Sequence, residues 1–262
     1  VCTADLKLSS SKQNGVVKGR QIIDSVHMMH EVGRGYHCKH GKARAAIKVD
    51  LMKAYDTVDW SFLFTIMKIM GFPETYVKWV ANDVTTALFF VNLNGSLFGY
   101  FPSERGLRQG DPLSPYLFLL AMEVSTDLLK WYIGKREFDF HPACRNLEIS
   151  HMMFADDLFL LSAANIQSLS IFKEVLAEFG LMSSLKPNYQ KCDVHLSCVS
   201  DAQAQELCSL MEMPRENLSV RYLGVPLIST KLSFNDCQPI FNKIRSKIES
   251  WAAKKLSYGG RL

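Results

Sequence analysis

Two adjacent aspartates, Asp156 and Asp157, stand between the apolar runs His151-Met152-Met153-Phe154 and Leu158-Phe159-Leu160-Leu161. Both flanks read as short buried strands. The acids therefore belong at a tight turn, where side chains on consecutive residues converge instead of pointing to opposite faces. Unit charges about 4 Å apart repel by roughly 4 kcal/mol at an effective dielectric near 20. A fold gains nothing from that repulsion unless a cation sits between the carboxylates, and hard ions such as Mg²⁺ take oxygen ligands of this kind. A third acid, Asp50, ends a comparable run, Ala45-Ala46-Ile47-Lys48-Val49. A buried strand ending in Asp, beside a hairpin tipped with Asp-Asp, brings three carboxylates to one sheet edge. That is enough to hold two ions about 3.5–4 Å apart for phosphoryl transfer.

At 262 residues, 48% hydrophobic and 21% charged, the chain can bury one large core or two smaller ones. It has no apolar run near the roughly 18 residues a membrane span needs, and no signal-peptide pattern at its start. Beginning Val1-Cys2-Thr3 and stopping at Gly260-Arg261-Leu262, it reads as a fragment of something longer. Seven scattered cysteines without a Cys-x-x-Cys pair point to reduced thiols in an intracellular compartment rather than to a disulfide framework. Net charge is only +4, but it is unevenly spread. Residues 1–48 carry nine Lys or Arg against three Asp or Glu, and residues 215–262 repeat that balance. Residues 49–214 carry twelve against twenty. An acidic centre between basic arms suits an enzyme that holds metal ions centrally and grips a polyanion on either side.

Local signals set the order of elements. The first forty residues are polar, with Gly33, Gly35 and Gly41 in an expected mobile stretch. After a strand at 45–51, Asp59 caps a helix that Gly71 stops, and Pro73 opens a second to about Asp83. Asn94-Gly95 between two apolar runs is a strong hairpin signal. The loop Arg105-Gly106-Leu107-Arg108-Gln109-Gly110-Asp111-Pro112 then leads into a long helix from about Ser114 to Tyr132. A helix from about Ile166 to Phe179 follows the Asp-Asp hairpin. Next come a strand near 193–196, a short helix at 201–211, a strand at 219–224 and a basic helix at 238–256. Irregular alternation of helices with hairpins predicts an α+β fold around an antiparallel sheet, not a doubly wound parallel one.

These motifs have a familiar order. Lys48-Val49-Asp50-Leu51-Met52-Lys53-Ala54-Tyr55-Asp56, the 105–115 loop, and Phe154-Ala155-Asp156-Asp157 resemble the successive palm motifs of reverse transcriptases, in particular the non-LTR (LINE-type) retrotransposon class and its plant members. Lys186-Pro187-Asn188 with Lys191, and Arg221-Tyr222-Leu223-Gly224-Val225-Pro226, resemble the later palm motif and the primer grip. The resemblance implies a right-hand polymerase fold: partial fingers in 1–44, a palm in 45–218 with an inserted fingers hairpin at about 88–101, and a primer grip with the start of a thumb in 219–262.

It also implies roles. Asp50 and Asp156 would ligate two Mg²⁺ ions, which Mn²⁺ can replace, with Asp157 as the supporting acid and the Leu51 carbonyl completing one shell. Tyr55 would be a steric gate against the 2′-hydroxyl of ribonucleotides. Gln109 and Gly110 would border the nucleotide, Arg20 would meet its triphosphate, and Lys191 would assist pyrophosphate departure. Tyr222, Leu223 and Gly224 would position the primer by packing and backbone contacts. A basic helix with Lys243, Arg245, Lys247, Lys254, Lys255 and Trp251 would open the thumb. The implied partners are an RNA template, a DNA primer and deoxynucleoside triphosphates, with flanking domains in a longer polyprotein, no membrane, and work in the nucleus.

Two departures from the family pattern are visible. Gln13-Asn14-Gly15-Val16 lacks the usual aromatic, and Ser184 replaces a glycine, which strains that turn. Asp56 and Asp59 read as local hydrogen-bonding or capping residues, and Arg108 as a phosphate contact or a partner for Asp111. His27, His30, His37, Cys38 and His40 match no standard zinc spacing and read as an unliganded loop. The rival to a polymerase is a catalytically silent nucleic-acid-binding remnant of such an element. A nucleotide cyclase fits the acids but not the Arg-Gln-Gly-Asp-Pro loop.

Overall fold

The computed structural model describes residues 22–38, 40–229 and 234–253. Among these the order is α1 (Ile22–Gly33), β1 (Arg44–Val49), α2 (Ala54–Thr57), α3 (Trp60–Ile69), α4 (Glu74–Thr85), β2 (Leu88–Leu93), β3 (Ser96–Pro102) and α5 (Ser114–Lys135). There follow β4 (His151–Phe154), β5 (Asp157–Ser162), α6 (Ile166–Ser183), β6 (Asp193–Ser197), α7 (Asp201–Met211), β7 (Ser219–Tyr222), β8 (Val225–Ile228) and α8 (Phe234–Ala253). The central sheet runs β4-β5-β1-β6, and every pairing in it is antiparallel. The expected α+β class is what the chain adopts.

Strand alternation divides the core in two. Ala45, Ile47 and Val49 of β1, with Leu158 and Leu160 of β5, face a large cluster that includes Leu117, Phe118 and Met122 of α5 and Phe172 and Phe179 of α6. The intervening Ala46, Phe159 and Leu161 face a second cluster with Val26, Met29 and Val32 of α1 and with Tyr222 and Leu227. Both faces of the sheet are thus covered, which is why its strands read as nearly continuous apolar runs. Phe159 is fully buried and meets Tyr222 edge-on at 5.1 Å between ring centroids.

Several local expectations hold. The Asp59 carboxylate accepts the Phe62 N–H at 2.8 Å and caps α3. Asn94 and Gly95 take the paired positive φ values, 52° and 85°, that a two-residue hairpin turn requires. Two differ. The glycine-bearing start is not an open loop throughout, since 22–33 forms α1, anchored by Val26, Met29 and Val32. The strand expected at 219–224 ends at Tyr222, where Leu223 and Gly224, at φ 51° and 84°, turn the chain back into β8. Hairpin β2–β3 exposes apolar side chains on both faces, with Gly99 at φ 60° where the pairing register shifts. No described helix is long and apolar enough to cross a membrane.

Candidate active site

The acids are placed by strand register. β4 and β5 pair Phe154 with Asp157, so only Ala155 and Asp156 form the turn between them. Ala155 takes a positive φ of 53°, a conformation an L-residue adopts at a cost of about 1–2 kcal/mol. Asp156 is therefore the exposed tip, while Asp157 is half-buried as the first residue of β5. β1 pairs Val49 with Leu158. One step further along the same register puts Asp50 opposite Asp157. Three carboxylates, one of them more than a hundred residues from the other two in sequence, thus share one end of the sheet.

Their charges are felt locally. Burial pushes the Asp157 carboxyl up, the charge of Asp156 pushes it further, and Asp50 adds to this against the opposing Lys48. The Tyr55 phenol is raised by burial and then by the charge of Asp156, so its ring borders the acid tip. Tyr55 stacks on Phe118 of α5 at 4.8 Å, which fixes the ring from below.

β1 is held on its other side by the 186–192 segment. Met52 N–H donates to the Lys186 carbonyl at 3.0 Å and Asn188 N–H to the Asp50 carbonyl at 2.8 Å, flanking a bridge between Leu51 and Pro187. Because backbone groups alternate sides along a strand, the Leu51 carbonyl points the opposite way, toward the side on which β5 carries Asp157. The carboxylates and this carbonyl form a hard oxygen donor set of the type Mg²⁺ accepts, and the mutual repulsion at Asp157 is what a bound cation would relieve. Among the described residues no group of three His, Cys, Asp or Glu side chains is gathered tightly enough to hold an ion. A divalent ion held here would take one or two of these carboxylates and fill its remaining positions with water and substrate phosphates.

The 105–110 loop is clamped to this site. Gly106 N–H donates to the Val58 carbonyl at 2.8 Å, Leu107 N–H to the Tyr55 carbonyl at 2.6 Å, and Trp60 Nε1–H to the Gly106 carbonyl at 2.7 Å. A Cβ on Gly106 would lie 2.5 Å from the Asp56 carbonyl oxygen, and its φ is +89°, so only glycine allows this approach. Gln109 donates to the Asp56 carboxylate at 3.4 Å, and Gly110, at φ +93°, faces open space. Asp111 turns its carboxylate to the Leu113 N–H at 2.7 Å, closing the turn into α5 instead of pairing with Arg108. Beside the loop lies a cleft of about 650 Å³, lined by Asp56, Arg105 and Arg108 and by Phe89 and Phe101, which stack at 6.0 Å.

The remaining expected site residues are more dispersed. Lys191 is exposed in the turn before β6. Tyr222 is 2% exposed and belongs to the core, so its side chain anchors the β7–β8 hairpin by packing, with the Leu223-Gly224 turn beyond it. A small cleft of about 210 Å³ separates Gly224 and Pro226 from Ile240, Lys243 and Lys247 of α8. Ser184 has the strained φ expected of it, +64°. Arg20, Lys254 and Lys255 lie outside the described residues, as does the side chain of Trp251. Two contributors were not foreseen from sequence: Gly106, whose role follows from a contact 50 residues away, and Cys192, whose thiol lies against the Asp50 backbone.

The family described as Reverse transcriptase (RNA-dependent DNA polymerase) matches residues 2–227. The Retrovirus-related Pol polyprotein from type-2 retrotransposable element R2DM of Drosophila melanogaster is 26% identical over 201 residues, covering 77% of this chain and 18% of the relative. The Transposon TX1 uncharacterized 149 kDa protein of Xenopus laevis is 26% identical over 259 residues, covering 95% of this chain and 19% of the relative. The chain therefore spans about a fifth of the length of these relatives. Apo telomerase from Candida tropicalis, truncated from its C-terminal domain, superposes with a TM-score of 0.56 at 12% identity, over 88% of this chain and 43% of that one. This last likeness concerns the fold.

Proposed function

The chain belongs to the reverse transcriptase (RNA-dependent DNA polymerase) family, and from that membership we propose that it extends a DNA 3′ end on an RNA template, as the polymerase core of a non-LTR retrotransposon protein. The observation that supports this most is the register-set meeting of Asp50, Asp156 and Asp157 at one sheet end, beside the clamped loop carrying Gln109 and Gly110. In this reading Asp50, Asp156 and the Leu51 carbonyl hold two Mg²⁺ ions, with Asp157 in support. When bound, the ions would lower the pKa of the primer hydroxyl and neutralise the triphosphate and the departing pyrophosphate.

The protein's own part is positioning and charge. Tyr55, pinned on Phe118, would form the floor under the incoming sugar and exclude a 2′-hydroxyl. Gln109, oriented by Asp56, and Gly110 border the nucleotide. Lys191, exposed in the turn before β6, would assist departure of the pyrophosphate, and Arg20 would meet the triphosphate from the fingers. The Leu223-Gly224 turn supports the primer strand, with Lys243, Arg245 and Lys247 of α8 along its phosphates. Residues 1–44 would then be fingers, 45–218 palm with hairpin β2–β3 inserted, and 219–262 primer grip and the start of a thumb. Flanking domains in the longer polyprotein, and work on nuclear DNA, complete the proposal.

Primer extension on poly(rA)/oligo(dT) with dTTP and Mg²⁺ tests it. Incorporation by the chain, reduced about a thousandfold in Asp156→Ala, is the expected result. Salt-sensitive duplex binding with no incorporation by the chain, or by a longer form with a full thumb, would favour the silent remnant.

A further inference from the structure

The ladder between β1 and β6 breaks at Asp50. Lys48 pairs with Asp193, but three residues on, Leu51 bridges Pro187, so the partner strand has shifted register and residues between Asn188 and Cys192 loop out of the sheet. That loop closes on itself, with Lys191 N–H and Cys192 N–H both donating to the Asn188 carbonyl, at 2.8 and 3.0 Å. It offers no backbone carbonyl to the Asp50 N–H. A sulfur fills the gap: the Asp50 N–H donates to Cys192 Sγ at 3.4 Å, and the same thiol donates back to the Asp50 carbonyl at 3.7 Å. The Asn188 N–H shares that carbonyl. Cys192 is fully buried, so water cannot take its place.

We propose that Cys192 is a positioning residue for Asp50: its buried thiol accepts the Asp50 N–H that the sheet leaves without a partner, adds a second donor to the carbonyl already held by Asn188, and so fixes the direction in which the carboxylate meets a divalent cation. The inference rests on the reading of Asp50 as a metal ligand. A side chain at the end of a strand inherits its orientation from its own peptide units, and a buried N–H left without an acceptor draws those units toward another partner. Serine can make the same two bonds. Valine fills the space and makes neither, and alanine adds no atom to the buried space and makes neither.

Mn²⁺ affinity, measured by water-proton relaxation on the whole chain, separates these cases without relying on turnover. Cys192→Val and Cys192→Ala should each weaken Mn²⁺ binding by about tenfold, the usual scale for a residue that orients a ligand. Cys192→Ser should stay within about twofold of the parent, because its hydroxyl keeps the pair of bonds. Circular dichroism verifies that each variant is folded, and the alanine variant decides the matter where the valine variant is not. Parent-like Mn²⁺ affinity in both Val and Ala variants overturns the proposal. So does equal weakening in the Ser variant, which would mean that sulfur volume matters and the bonds do not. An Asp50→Asn variant that binds Mn²⁺ like the parent overturns the metal reading itself, a result distinct from failure at Cys192 alone.

Discussion

Tyr55 shows how much a single ring can be asked to do. It is half-buried, stacked on Phe118 at 4.8 Å, and close enough to Asp156 for that charge to raise its phenol further after burial has done so. Its backbone carbonyl meanwhile holds Leu107 of the 105–110 loop. The side chain can thus be shortened without releasing the loop. Tyr55→Val should raise ribonucleotide incorporation relative to deoxynucleotide by about a hundredfold, roughly 3 kcal/mol of lost discrimination. Matched primer extensions with rUTP and dTTP read this ratio, and an unchanged ratio would return Tyr55 to the role of a core residue. The residue's place near the acids was legible only through the family resemblance, which sets an aromatic five positions after Asp50. Cys192 was not, because a thiol that replaces a missing ladder bond leaves no pattern in the chain.

At the scale of elements, conformational strain marks the turns that shape the site. Ser184 ends α6 at φ +64° and ψ 4°, a left-handed cap in which glycine is normally favoured. Ser184→Gly should stabilise the protein by about 1 kcal/mol, seen as a rise of about 2–4 °C in the thermal midpoint. A fall would mean that the serine makes an interaction worth more than the strain. Turn and cap chemistry was the most readable part of the sequence: Asp59 at its N-cap and Asn94-Gly95 at their turn need only their own neighbours. Helix α1 was harder to read, since Val26, Met29 and Val32 are spaced among His27, His30 and other polar residues that dilute the apolar face. Where the Tyr222 ring packs was hard to read for a related reason. Its strand is only four residues long, and nothing local shows which face packs on Phe159.

Across the whole molecule, the sheet is buried on both faces, and the second core is closed by a polar contact as well as by packing. His141 is fully buried; Ala143 N–H donates to its Nδ1 at 3.2 Å, so Nε2 carries the proton and donates to Tyr36 Oη at 3.1 Å. Burial, and then the charge of Arg44, lower this imidazole from 6.5 to about 4. Between those values the unfolded chain takes up a proton that the folded protein refuses. Stability should therefore fall as pH drops from 6.5 toward 4, by up to about 3 kcal/mol, and show no contribution from this group above 6.5. Urea midpoints across that range, compared with His141→Gln, measure it, and a variant with the same acid sensitivity as the parent would place the effect elsewhere. The antiparallel α+β plan was legible from the order of strands and helices. The convergence of Asp50 with Asp157 depends on register across more than a hundred residues, which local spacing can suggest but only pairing can fix. That convergence is tested most directly by replacing Mg²⁺ with Fe²⁺ and generating hydroxyl radicals at the bound ion with ascorbate and peroxide, then mapping where the backbone is cut. Cleavage in both stretches 50–52 and 154–158, lost together in Asp156→Ala, is the expected pattern; cuts confined to one stretch, or persisting in the variant, would contradict a shared ion.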